Sequence, residues 1–159
     1  MDTIFASQGE RRRLQYLASR VSPTGWVVTL SDPSAEVAAV AAAATPARVA
    51  ALVGPDPSSA TRALAEAELR FRVQIQVGDP LDRAAAWNLP VHLLVLPARD
   101  PKLPALLAAW ERHVGPIGHI VLVGGPGPEP GDLGLSLERW EAHVAPGNGT
   151  FLLIRRPHG

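Results

Sequence analysis

Apolar runs alternate along this chain with Ala- or Leu-rich amphipathic stretches, and Asp-Pro marks each switch. Residues 25–45, GWVVTLSDPSAEVAAVAAAAT, set the pattern: a buried strand, a tight Asp-Pro junction and an amphipathic helix. The pattern recurs. Apolar runs end at Ser31-Asp32-Pro33, at Gly54-Pro55-Asp56-Pro57, at Gly78-Asp79-Pro80 and at Ala98-Arg99-Asp100-Pro101, and a helical stretch follows each. Four such units, roughly 20 to 25 residues apart, predict strands and helices alternating around a parallel sheet.

Ahead of these units, Ser7 to Glu10 matches a capping box, with Ser7 as N-cap and Glu10 at the third helical position. Leu14, Leu17, Ala18 and Val21 then share one helix face. Strands are expected at 26–31, 48–53, 71–77, 91–96 and 117–123. Asp32, Asp56 and Asp79 each read as an N-cap followed by proline at the first helical position, as does Asp100. Strand three alternates Phe71, Val73, Ile75 and Val77 with Arg72, Gln74 and Gln76, which suits a sheet edge. Strands four and five are nearly all apolar and so central. A fourth helix over 103–114 buries Leu103, Leu107, Trp110 and Val114. Residues 124–134, GGPGPEPGDLG, form a connection over the C-terminal edge of the sheet. Residues 139–144 and 150–155 read as a hairpin, although Leu137, Trp140 and Val144 also fit a helix. The expected core includes Val28, Leu30, Val40, Leu52, Val95, Trp110, Leu122 and Leu153.

Composition bounds the rest. The 159 residues suit a single domain over 1–159: leading helix and linker at 1–24, βα units at 25–123, the Gly/Pro loop at 124–134 and the hairpin at 135–159. Net charge is zero, so no global basic field draws in nucleic acid. Arg11, Arg12 and Arg13 read as a solvated helix face. Of fifteen basic residues only Lys102 is lysine. Without cysteine, disulfides and thiolate metal sites are excluded. The first residues do not follow the secretory pattern and no apolar run is long enough to span a bilayer, so a cytoplasmic location is expected, with no membrane and no nucleic-acid partner.

Candidate chemistry is thin. Asp32, Asp56, Asp79 and Asp100 should converge on the C-terminal edge of the sheet. An acidic rim there could hold a cation or an amine, but helix capping explains all four without a ligand. His92, His113, His119, His143 and His158 have no metal-ligand spacing, so no metal site is expected. No Gly-x-Ser-x-Gly elbow is present, and no catalytic residue can be assigned. Trp26, Trp87, Trp110 and Trp140 are dispersed and read as core packing.

A leading helix, five βα-type strands and a terminal hairpin resemble the class I S-adenosylmethionine-dependent methyltransferases, a Rossmann-like α/β family. The likeness covers about residues 5–157. It is greatest to the small-molecule O-methyltransferase branch that includes cephalosporin-hydroxylase-like proteins. Ser7-Gln8-Gly9-Glu10 with Leu14 and Leu17 stands where that branch has its leading helix. Residues 25–31 stand where a strand enters the glycine-rich first motif. Val77-Gly78-Asp79 resembles the Gly-Asp-Ala or Gly-Asp-Ser motif after strand three. Residues 107–121 resemble the helix and turn leading into strand five, and residues 149–157 the last strand. The resemblance implies a three-layer fold, a mainly parallel twisted sheet of order 3-2-1-4-5-7-6 and an antiparallel C-terminal hairpin.

The resemblance also places the cofactor at Ser31, Asp32, Asp56 and Asp79, and there the sequence departs from the family. The first motif has Thr29, Ser31, Asp32 and Pro33 but no glycine. The ribose-binding acid after strand two is replaced by Gly54, with Asp56 displaced. The acid after strand five is replaced by Gly124-Gly125. Only Asp79, on the adenine side, matches. Two readings follow. In the first, the domain has lost methyl transfer, needs no cofactor and binds a protein partner, a second copy of itself or an altered ligand. In the second, it is a small-molecule methyltransferase that uses S-adenosylmethionine in an atypical pocket. A nucleotide-binding regulatory domain is a third.

Overall fold

The alternating elements fold into one seven-stranded sheet of order β3-β2-β1-β4-β5-β7-β6. A computed structural model describes residues 3–125, 132–133, 138–144 and 151–155. The order of elements is α1 (Gln8–Ser19), β1 (Trp26–Thr29), α2 (Glu36–Ala44), β2 (Arg48–Gly54), α3 (Ser58–Glu66) and β3 (Val73–Val77). Then come α4 (Pro80–Ala86), β4 (Val91–Pro97), α5 (Leu103–Trp110), β5 (Val114–Val123), β6 (Trp140–Val144) and β7 (Phe151–Arg155). The first five strands pair in parallel, and β7 pairs antiparallel with both β5 and β6. One isolated antiparallel bridge, Gly54 to Gly78, lies outside the hairpin.

Side chains alternate across the sheet and build two cores. Val27, Val49, Ala51, Leu93, Val95 and Val121 face α1, α2 and α3. Val28, Leu30, Leu52, Leu94, Leu96 and Leu122 face α4 and α5. A strand apolar on both faces is what burial under helices on both sides requires. Of the expected core, Val28, Leu30, Val40, Leu52, Val95, Trp110 and Leu122 are buried. Leu153 lies on β7, and its side chain is outside the described residues. The edge reading of strand three holds: Val73 is buried, while Gln74 and Val77 are exposed and Phe71, just before the strand, is 98% exposed.

Several expectations are corrected. The rule of Asp N-cap and Pro at the first position holds only at Asp79-Pro80. Helix α2 starts at Glu36 behind Ala35, α3 starts at Ser58 behind Pro57, and α5 starts at Leu103 behind Lys102. At the last two junctions the aspartate makes a short turn instead. Asp56 accepts from Ser58 N–H and Asp100 from Lys102 N–H, each two residues on. The fourth helix ends in a 3-10 turn over Glu111–His113, and β5 begins at Val114, three residues before the expected start. Residues 140–144 are strand, not helix. Of 124–134, residues 126–131 and 134 lie outside the described residues.

Three of the four tryptophans, Trp26, Trp87 and Trp110, are not dispersed. Trp26 and Trp87 meet edge to face at 5.5 Å between ring centroids, and Trp87 and Trp110 lie 5.7 Å apart. The chain continues to His113 at 5.5 Å. Residues far apart in sequence meet because β1, α4 and α5 share one face of the sheet. No helix among the described residues is long and apolar enough to cross a membrane.

Candidate functional site

A crevice of about 370 Å³ opens at the C-terminal ends of the parallel strands. Ser31 lines it from the end of β1, Gly54 and Pro55 from the end of β2, and Gly78, Asp79 and Pro80 from the turn after β3. Asp100, Lys102 and Leu106 form the opposing wall. The strand order reverses between β1 and β4, and open α/β sheets bind ligands at such a switch point. Gly78 N–H donates to the Gly54 carbonyl at 3.0 Å, which ties two of these turns together.

Of the four sequence-predicted site residues, Ser31 and Asp79 line the crevice, while Asp32 and Asp56 do not. Asp79 accepts from Leu81 N–H at 2.9 Å and caps α4. Asp56 is exposed and bonds the hydroxyl and N–H of Ser58, which hold its carboxyl below the usual aspartate range. Asp100, expected at this edge of the sheet, lines the wall, and Lys102 enters it without having been expected there. Lys102 is the chain's only lysine.

Asp32 is the residue that shapes the first turn. It is only 2% exposed. Its carboxylate points inward and accepts from Val37 N–H at 3.3 Å, Ala38 N–H at 2.9 Å and the Thr29 hydroxyl at 3.0 Å. The donors are the second and third N–H groups of α2, so Asp32 caps that helix from three residues before the N-cap position. Burial pushes its carboxyl above the ordinary aspartate value, against these hydrogen bonds. The backbone closes the turn further: Ala35 N–H donates to the Asp32 carbonyl at 2.9 Å.

The turn has the torsions of a glycine-rich motif without the glycines. Ser31 has φ of 52° and Ala35 has φ of 57°. Left-handed backbone at a side-chain-bearing residue costs about 1 to 3 kcal/mol, and such strain concentrates at functional turns. Side-chain-bearing residues here hold torsions that glycine adopts more readily.

A second carboxylate organises the neighbouring strand ends. Glu10 is fully buried. It accepts from Ala6 N–H at 3.0 Å, Gly124 N–H at 2.8 Å and Gly125 N–H at 3.4 Å. Gly124 and Gly125 have φ of 98° and 102°, which turns consecutive N–H groups toward one oxygen pair. Glu36 adds a third tether, accepting from Ile4 N–H at 2.7 Å and the Thr3 hydroxyl at 2.8 Å. Residues 3–7 are thereby held at the ends of β1 and β5. Ser7 does cap α1 as expected, donated to by Glu10 N–H at 3.1 Å. The capping-box pattern did not disclose that the Glu10 side chain bridges to residues 114 and 115 positions away.

No protein-family model matches the sequence, and no curated protein matches it. Solved structures do match. A methyltransferase from Geobacter sulfurreducens superposes with a TM-score of 0.78 at 21% identity, covering 98% of this chain and 81% of that one. Precorrin-6y C5,15-methyltransferase from Geobacter metallireducens gives 0.71 at 14% identity, covering 99% and 93%. The O-methyltransferase TomG from Streptomyces achromogenes, involved in tomaymycin synthesis and solved with S-adenosylmethionine, gives 0.67 at 18% identity, covering 96% and 81%. This chain has the Rossmann-like fold of the class I S-adenosylmethionine-dependent methyltransferases.

Proposed function

We propose that this chain is a methyltransferase-fold binding domain that does not transfer methyl groups. One observation carries the reading: the buried Asp32 carboxylate takes the Val37 and Ala38 N–H groups at the start of α2. A helix N-terminus facing the crevice is the natural receiver of a cofactor's carboxylate. Here an internal carboxylate holds those donors and repels a second one. Pro33 has no N–H to add. After β2, Gly54 presents no side chain to a ribose, and Asp56 is turned to its own helix. The residues present do not fit the amino-acid end of S-adenosylmethionine. The crevice itself is open, so the domain keeps a place for a smaller or differently charged ligand.

Isothermal titration with S-adenosylmethionine and with its demethylated product tests this. No binding is expected up to about 1 mM, an affinity weaker than about −4 kcal/mol. Micromolar binding of either compound overturns the proposal and establishes the second reading, a small-molecule methyltransferase with an atypical pocket. One feature favours that second reading. Ser31 keeps strained left-handed backbone at the crevice wall, a cost that a fold with no ligand to shape could shed.

A further inference from the structure

A second cavity, of about 410 Å³, lies at the opposite edge of the sheet, between the C-terminal half of α1 and the first residues of β4 and β5. It shares no lining residue with the crevice. Leu17, Val21, Leu93 and Ile117 give it an apolar floor and rim, and Ile117 is 79% exposed. Its polar lining comes from Tyr16, Arg20, Ser22, His92 and His119.

These polar groups have one property in common: each can donate a hydrogen bond. Trp26 N–H donates to His92 Nδ1 at 3.2 Å, so the proton of the neutral ring sits on Nε2. Gly25 permits this placement, because a Cβ there would come within 2.8 Å of Val21 Cγ1 and 3.1 Å of His92 Cγ. Burial lowers the pKa of His119, which leaves a neutral imidazole with one N–H near neutral pH. Arg20 has only donors, arranged in a planar fork that matches a carboxylate. Among the described residues lining the cavity none is acidic. The carbonyl end of α1 works against an anion, but Arg20 N–H and Val21 N–H already occupy the carbonyls of Leu17 and Ala18.

Donors without a competing carboxylate, above an apolar floor, select an acceptor-rich anion with an apolar body. We propose that this pocket binds a small organic carboxylate, its carboxylate on Arg20 and the His92 ring N–H and its apolar part against Leu17, Val21 and Ile117. Nothing in this site depends on whether the crevice takes a cofactor.

Proton–nitrogen correlation spectra of the histidine rings of the full chain test the proposal at constant ionic strength. Sodium benzoate is the probe. Benzyl alcohol supplies the same ring without the charge, and acetate the charge without the ring. Benzoate is expected to move the His92 and His119 ring signals and to bind about tenfold more tightly than either control. Arg20→Gln should weaken benzoate about tenfold while leaving benzyl alcohol unchanged. Ile117→Ser, at an exposed rim, should weaken both aromatic probes. Unmoved ring signals up to about 20 mM benzoate, a range that covers weak millimolar sites, would overturn the proposal. So would equal binding of benzoate and benzyl alcohol, or an Arg20→Gln variant that binds benzoate normally.

Discussion

Asp32 shows how one side chain can define a turn and load it with an electrostatic cost. Its folded-state pKa is raised above the ordinary 3.8 because burial disfavours the charge more than the Ala38, Val37 and Thr29 hydrogen bonds favour it. The folded chain therefore holds this proton more tightly than the unfolded chain. That contribution to stability is complete below about pH 3.8 and is lost as pH rises through the folded pKa. Asp56 runs the other way: its lowered pKa gives a contribution present above 3.8 and lost as pH falls. Asp32→Asn removes only the first effect. The variant should gain stability relative to the parent as pH rises from about 4 to about 7, read as denaturant midpoints. A difference that stays constant with pH would contradict this account. Ser31 gives a second residue-scale test. Ser31→Gly relieves left-handed strain of about 1 to 2 kcal/mol against a Gly entropy cost of about 0.5 to 1, so it should be neutral to stabilising. Ser31→Val, branched at Cβ, should destabilise by about 1 kcal/mol or more. Thermal melts of the pair must fall in that order.

At the scale of elements, the attachment of α1 depends on polar contacts as well as on its apolar stripe. Leu14 and Ala18 are fully buried against the sheet, and Leu17 and Val21 are half-buried at its margin. Glu10, on the same helix, binds N–H groups at the end of β5. Truncating it leaves Ala6, Gly124 and Gly125 N–H groups short of an acceptor in a buried setting. Glu10→Ala should cost about 2 to 5 kcal/mol. Hydrogen exchange at Gly124 and Gly125 should accelerate together with that of the first turn of α1. Exchange that quickens in the helix alone would break the link between the two elements. Arg72 plays a comparable part at α2, where its guanidinium donates to the Thr45 carbonyl at 2.5 Å and reaches Ala42 and Ala47. Positive charge on the last carbonyls of a helix is favourable.

For the whole molecule, the sheet separates two cores, and the central strands contribute to both. Leu30 lies on the α4–α5 side and Val95 on the α1–α3 side, each 1% exposed. Leu30→Ala and Val95→Ala should cost about 1 to 4 kcal/mol each, from lost burial and the cavity left behind. Their side chains sit in different cores, but Leu30 N–H donates to the Val95 carbonyl at 2.9 Å, so the two truncations share a backbone contact and the double variant should depart from the sum by about 0.5 kcal/mol or more. Urea unfolding of the three variants measures this. Unchanged midpoints in both single variants would remove the two-core description. The two cavities lie at opposite edges of this sheet, the crevice at the strand C-termini and the histidine-lined pocket at their N-termini, so a ligand in one has no direct contact with the other.

The sequence by itself determined the class of fold, because hydrophobic periodicity and Asp-Pro punctuation are local properties. The apolar runs of β1, β4 and β5 required burial on both faces, and the alternation around Val73 and Ile75 required an edge. That separates central strands from an edge strand, while the full order 3-2-1-4-5-7-6 was what the resemblance to the methyltransferase family implied. The turns at Ser31, Gly54 and Asp79 also follow parallel strands, which puts them at the end of the sheet where the crevice opens. Only the tertiary structure decided what those turns do. Whether Asp32 faces the crevice or its own helix depends on φ at Ser31 and Ala35, and no residue type there announces a left-handed backbone. The bond from Glu10 to Gly124 and Gly125, the contact chain of Trp26, Trp87 and Trp110, and the cavity lined together by Arg20, His92 and His119 all involve residues distant in the chain. Spacing along the sequence carries no signal for such pairs; strand order and the packing of helices on each face create them.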